Sequence, residues 1–404
     1  VPPTEPPPPL DVVASPSVRL LAACSLGGAG HLQPLVPFLL AAHERGHETL
    51  VVAPGSLGAM VADAGLRLHP GGEPPEAAVA PIRERLPVAP PEEASRLGNG
   101  ELFGRLATRA MLPAVEAAVR EWRPSLVIRE PCEYASAIVA RRSHIPTVQV
   151  AISVAEGEWG SIAHAAPVLE ELHPGITDTL TASPYLSRFP PSFDPSPFPV
   201  TLRYRDPLAD PVGPPPWLER FWSDVAGPRI YLSFGTVLGH MSIASAVYRV
   251  ALDAVGSLEA RVLLTTGRHF DPAQLGEVPS NVRVEPWVDQ ASVLSRADLV
   301  VCHGGSGTVL GALGAGVPLV VVPLFADQFE NAGRVAALGA GAVVESTAVH
   351  PSGRRDPTAL DAGTLAAAIE SVLSAGAHRR AAENLAAEMA AAPGPGDLLD
   401  QLAR

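Results

Sequence analysis

The sequence predicts an α/β protein of two domains, each built on a parallel β-sheet with helices on both faces. Three observations carry this prediction. The chain has 404 residues, whereas single domains commonly run to about 100–200. Short apolar runs recur along it, and most are unbroken rather than alternating, as strands buried on both faces require. Stretches rich in Ala, Leu, Glu and Arg separate several of these runs, which is the signature of βαβ units.

Taken in order, residues 1–16 are Pro-rich and lack the basic start and apolar core of a signal peptide, so they read as a disordered leader. The first domain, residues 17–205, contains predicted strands at 18–24, 49–53, 126–128 and 147–152. Residues 206–216 form a Pro-rich linker that can continue neither a helix nor a central strand. The second domain, residues 217–404, contains predicted strands at 229–234, 261–265, 299–302, 319–322 and 342–344, and its final helix is free to cross back to the first domain. Residues 70–100 and 156–199 are rich in turn formers and read as long irregular regions, the usual material of lids and binding loops.

Composition excludes several functions. The net charge is −13 and all 29 basic residues are Arg, which argues against a nucleic-acid partner. A small anion is not excluded, because backbone dipoles bind anions in acidic proteins too. The three Cys are widely spaced with no CxxC pair, so neither a disulfide framework nor a zinc site is indicated and a reducing cytoplasm fits. No apolar run approaches the roughly 20 residues of a membrane span. Asp-x-Asp, a common metal-diphosphate motif, is absent.

The segment of greatest chemical content is 286–308. A predicted strand ends in His303-Gly304-Gly305-Ser306-Gly307-Thr308 and runs into an apolar stretch. Glycines let the backbone approach a ligand closely. The helix that follows points free N–H groups and its positive dipole end at that ligand. Ser306 and Thr308 add hydroxyls and His303 a ring N–H, together a diphosphate cradle; a tight strand–helix turn needing small residues is the plainer reading. The dinucleotide pattern GxGxxG is absent. The nucleophile elbow GxSxG is nearly present in Gly304–Thr308, which keeps a hydrolase built on Ser306 as a rival. In the first domain a strand and a glycine-rich turn lead to His31, which opens a predicted helix with Pro34 in its first turn. His31 thus lies at the carboxyl end of a strand, where α/β sheets bind ligands. A neutral imidazole there can accept a hydroxyl proton, although a lone His is more often structural.

These residues resemble a known family. Residues 286–341 look like the donor-binding signature of the family 1 nucleotide-sugar glycosyltransferases, nearest the bacterial enzymes that decorate polyketide and macrolide antibiotics. The matching pieces are Pro286-Trp287-Val288, His303–Thr308, Gly314-Ala315-Gly316-Val317-Pro318 and Asp327-Gln328-Phe329-Glu330-Asn331. Weaker matches cover Tyr231–Thr236 and Gly30-His31-Leu32-Gln33-Pro34. The resemblance implies the GT-B fold: two Rossmann-like domains facing each other across a cleft, the first for the acceptor and the second for the nucleotide sugar. It implies that Trp287 stacks on the nucleobase and that the Val288 backbone reads its edge. His303, Gly304, Gly305, Ser306, Gly307 and Thr308 would hold the phosphates, with Ser233, Gly235 and Thr236 facing the same site. Asp327 and Gln328 would hydrogen-bond sugar hydroxyls.

The resemblance makes His31 the general base. The family usually places an Asp after the strand that ends here in Arg129-Glu130, so Glu130 is the candidate to orient His31, with Arg129 competing for its carboxylate. The implied reaction is an inverting, metal-independent transfer, without resident cofactor, from a nucleoside-diphosphate sugar (dTDP favoured, UDP open) to an apolar small-molecule acceptor such as a polyketide aglycone. A catalytically inactive nucleotide-sugar-binding relative is the other rival, and a homodimer is open.

Overall fold

The computed structural model describes residues 18–26, 28–86, 89–207, 213–223, 227–349 and 356–402. The predicted leader and the centre of the Pro-rich linker lie outside the described residues. Seven strands form the first sheet: β1 (Arg19–Ala23), β2 (Glu48–Pro54), β3 (Leu68–Gly71), β4 (Leu126–Arg129), β5 (Thr147–Val150), β6 (Tyr185–Ser187) and β7 (Thr201–Arg203). Six form the second: β8 (Arg229–Ser233), β9 (Arg261–Thr265), β10 (Val282–Glu285), β11 (Leu299–Cys302), β12 (Leu319–Val321) and β13 (Gly341–Val343). Every pairing is parallel. This is the predicted α/β class with two Rossmann-like domains.

Burial on both faces accounts for the unbroken apolar runs. Along β1, Leu20 and Ala22 enter one core while Leu21 and Ala23 enter another, because successive side chains point to opposite faces. Along β11, Leu299 and Val301 are separated from Val300 and Cys302 in the same way.

The strand orders are β3-β2-β1-β4-β5-β6-β7 and β10-β9-β8-β11-β12-β13. Each sheet therefore starts in its middle, runs to one edge, and then restarts toward the other. The reversal opens a crevice beyond the carboxyl ends of β1 and β4 in the first sheet and of β8 and β11 in the second. The residues following those four strands are His31, Glu130, Ser233–Thr236 and His303–Thr308, so topology alone delivers them to two crevices.

The two regions expected to be irregular are largely helical. The first carries helices Glu76–Arg85 and Pro91–Ser95 and runs into a π-helical stretch, Arg96–Ala107. The second carries Ala155–Leu172 and Ile176–Ala182. Pro81 and Pro167 lie inside two of these helices, and tertiary packing overrides their unfavourable propensity.

Several contacts join the halves. Phe189 and Phe193 from the first pack into the core of the second, and Arg334 donates to the Phe193 carbonyl at 2.9 Å. At the other end of the chain, helix Pro395–Leu402 buries Leu398 and Leu399 among Phe38 and Leu39 of the first domain, and Arg45 pairs with Asp400 at 3.1 Å. No helix among the described residues is long and apolar enough to cross a membrane.

Candidate active site

His31 lies within a short helical turn, Ala29–Leu32, rather than opening a longer helix. Pro34 is the second residue of the 3-10 turn that follows, Gln33–Leu35. The His31 Nδ1 faces Glu130 Oε2 at 3.3 Å, an ion pair once the ring is protonated. Glu130 is fully buried. One of its oxygens accepts from the Ser25 N–H at 3.2 Å and the Ser25 hydroxyl at 2.8 Å, and the other from the Cys132 N–H at 2.7 Å. Burial opposes charge on both partners. The mutual attraction outweighs it, so the His31 pKa is raised and the Glu130 carboxyl is held below its usual range.

Arg129 does not compete for that carboxylate. It is buried on the other side of the strand, where it donates to the carbonyls of Glu130, Pro131 and Glu133 and to Gln149 Oε1 at 2.9–3.2 Å. Alternation along β4 separates the two side chains. The face of the His31 ring is covered by Phe103, with centroids 5.5 Å apart and planes 20° from parallel. Phe103 comes from the π-helical stretch and was missed, because nothing in its local sequence signals a contact with His31.

In the second domain, helix Ser306–Gly314 begins right after Gly305 with no side-chain cap. Its first-turn N–H groups at Ser306 and Gly307 have no acceptor within the helix, and the space beside Gly307 is open. Gly304 and Gly235 both have positive φ, 88° and 75°. A Cβ on Gly304 would lie 2.8 Å from the Gln328 carbonyl, and one on Gly235 2.8 Å from the His303 ring. Burial lowers the His303 pKa to about 4 against the pull of Asp327 and the Ser233 backbone. The ring is therefore neutral at physiological pH and keeps one N–H to donate. Ser233 and Cys302 are register partners, so the loops after β8 and β11 emerge side by side. The Ser233 hydroxyl accepts from Thr265 at 2.9 Å within the strand ends, while Thr236 is exposed. The Thr308 hydroxyl accepts from Gln290 at 3.3 Å.

Trp287 follows β10 and is 53% exposed, so it is not a core tryptophan. The Arg268 guanidinium lies 5.0 Å from its ring centroid, and Val288 beside it is buried. Three strand spacings, about 14 Å, separate β10 from β11. That puts an exposed aromatic ring at one end of a row of strand ends and an N–H cluster at the other.

Asp327 joins the domains. Its Oδ2 accepts from the Ser306 hydroxyl at 2.8 Å and from the Ser153 hydroxyl of the first domain at 3.0 Å, with Asn331 Nδ2 at 3.4 Å. Its charge reaches both His31 and His303. Gln328 is buried and its Oε1 accepts from the N–H groups of Leu324 and Phe325 at 2.9 and 3.0 Å. Its side-chain carbonyl oxygen thus braces the preceding loop. The Ser306 hydroxyl is bonded to Asp327 and Asn331 rather than to an imidazole, which is not the arrangement of an activated serine nucleophile.

Comparison with known proteins agrees with this geometry. Residues 40–161 match the family described as erythromycin biosynthesis protein CIII-like, N-terminal domain, and residues 249–404 match its C-terminal domain. An L-demethylnoviosyl transferase of Streptomyces niveus is 32% identical over 385 residues, covering 94% of this chain and 96% of that protein. The elloramycin glycosyltransferase of Streptomyces olivaceus is 33% identical over 398 residues, covering 95% and 97%. The crystal structure of a Streptomyces sp. SF2575 glycosyltransferase complexed with thymidine diphosphate superposes with a TM-score of 0.72 at 25% identity, covering 95% and 99%. With the crevices, the N–H cluster and these relatives in agreement, the chain belongs to the family 1 nucleotide-sugar glycosyltransferases of GT-B fold, of the bacterial antibiotic-tailoring type.

Proposed function

We propose that the protein transfers a sugar, with inversion and without a metal ion, from a nucleoside-diphosphate donor to a hydroxyl of a small apolar natural product such as a polyketide aglycone. His31 is the general base. It takes the acceptor's proton as the acceptor oxygen attacks the anomeric carbon from the face opposite the diphosphate. Glu130 stabilises the imidazolium that forms. The leaving diphosphate gathers charge at the Ser306 and Gly307 N–H groups and the neutral His303, donors already in place before the reaction. The Asp327 carboxylate and the Gln328 amide nitrogen meet sugar hydroxyls, and Trp287 stacks on the base. Relatives of the antibiotic type, one of them solved with thymidine diphosphate, favour a thymidine donor carrying a deoxysugar.

The observation that carries this reading is the bridge between the halves. Asp327 touches the phosphate loop through Ser306 and the first domain through Ser153, and its charge still reaches His31. Base and cradle therefore belong to one site. The test is calorimetric titration with thymidine and uridine diphosphates, in magnesium and in EDTA, followed by acceptor screening with the preferred series and NMR of the product's anomeric centre. The reading expects binding that EDTA leaves unchanged, tighter binding of thymidine diphosphate than of uridine diphosphate, and an inverted product. Donor cleavage that no acceptor accelerates sinks the transfer reading.

A further inference from the structure

We propose that Ser153 is a positioning residue for recognition of the donor sugar: from the acceptor-side domain, its hydroxyl turns the Asp327 carboxylate so that one oxygen is spent inside the protein and the other faces the sugar. The proposal rests on the reading above that Asp327 meets sugar hydroxyls.

Among the described residues, the side-chain hydrogen bonds of Asp327 all converge on Oδ2: Ser306 Oγ at 2.8 Å, Ser153 Oγ at 3.0 Å and Asn331 Nδ2 at 3.4 Å. A carboxylate has about four acceptor positions, and among the described residues those on Oδ1 have no partner. Two of the three donors belong to the second domain. Ser306 begins the phosphate-loop helix, and Asn331 is tied to the same loop through the Gly304 carbonyl at 2.8 Å. They fix where Oδ2 lies. Ser153, from the first domain, adds a third donor to that same oxygen and so strengthens the orientation in which Oδ2 is turned inward and Oδ1 is left for a ligand.

Ser153 is itself held firmly. Its N–H and that of Ile152 both donate to Glu158 Oε1, at 2.6 and 2.7 Å, and its carbonyl accepts from the Tyr185 hydroxyl at 3.2 Å. Glu158 is buried on helix Ala155–Leu172. The hydroxyl is thus carried by a braced loop of the first domain rather than by a free side chain. One consequence is that sugar recognition depends on the two domains being closed, whereas nucleoside-diphosphate recognition by Trp287, His303 and the helix N-terminus does not.

The experiment measures binding of thymidine diphosphate and of thymidine-diphosphoglucose by calorimetry to the wild type and to Ser153→Ala, Ser153→Thr and Asp327→Asn, with thermal denaturation of each. The expected result is that Ser153→Ala weakens thymidine-diphosphoglucose by roughly five- to tenfold and leaves thymidine diphosphate unchanged, while Ser153→Thr restores the wild-type value. Loss with Asp327→Asn but none with Ser153→Ala overturns the role of Ser153 and leaves the sugar reading of Asp327 standing. Thymidine-diphosphoglucose binding unaffected by either variant removes that sugar reading and the proposal with it. Equal weakening of both ligands by Ser153→Ala marks a purely structural contact between domains and also overturns it.

Discussion

His31 and Glu130 behave as one unit because each is costly to bury without the other. Burial alone would lower the His31 pKa, yet the Glu130 carboxylate raises it. In the proposed role of general base the ring must be neutral, so transfer is expected to be lost as pH falls through this raised value, with an acidic limb above that of an ordinary imidazole. Glu130→Gln removes the charge that raises it while burial still lowers it. The acidic limb of the pH–rate profile is therefore expected to move to lower pH, with a smaller plateau because the imidazolium loses its counter-charge. His31→Ala is expected to cut acceptor-dependent turnover by about 10²–10⁴-fold while calorimetry finds thymidine diphosphate binding unchanged. Part of this site was legible in the sequence, since Gly30-His31 and the residue after β4 lie at strand ends whatever the loops do. Phe103 and Ser153 were not. Each reaches its partner through tertiary packing, and a chain position 72 or 174 residues from its partner carries no local trace of the contact.

At the scale of elements, the loop proposed to hold the phosphates has a backbone fixed by its own packing. Gly304 has a positive φ and its missing Cβ is bracketed by the Gln328 carbonyl and Val321, each 2.8 Å away. Gly304→Ala must therefore displace either the loop or the start of helix Gln328–Ala337. We expect it to cost about 1–3 kcal/mol by thermal or denaturant unfolding and to weaken thymidine diphosphate in titration, since the Ser306 and Gly307 N–H groups move with the loop. The elements that were legible are the ones buried on both faces, such as β1, β8 and β11, because a short unbroken apolar run between turn formers fits a doubly buried strand and little else. The missed strands lack that signal. β3 lies at a sheet edge, where Pro70 is tolerated, β10 alternates Val with the charged Arg283 and Glu285 on a half-buried edge, and β6 and β7 are only three residues each among prolines. The helices of 76–107 and 155–182 were obscured by Pro81, Pro167 and several glycines, residues that local propensity weighs heavily and that packing overrules here.

For the whole molecule, the chain does not leave the first domain for good at β7. Helix Pro395–Leu402 returns to it, so Leu398 and Leu399 complete the first core. Leu399 is 4% exposed and sits with Leu398 in the cluster built on Phe38 and Leu39 of the first domain. Leu399→Ala leaves a cavity in the acceptor-side domain and is expected to cost about 2–5 kcal/mol there, while the nucleotide contacts remain as they were. Scanning calorimetry with and without thymidine diphosphate separates the two effects. Nucleotide at about 100 times its dissociation constant adds roughly 2.7 kcal/mol to the domain that binds it. The variant should therefore show a lowered transition for the first domain, and a second-domain transition that nucleotide raises as much as in the wild type. A loss of nucleotide stabilisation in Leu399→Ala would instead mean that the donor site depends on the packing of the first domain through the contacts of Phe193 with Arg334 and of Ser153 with Asp327.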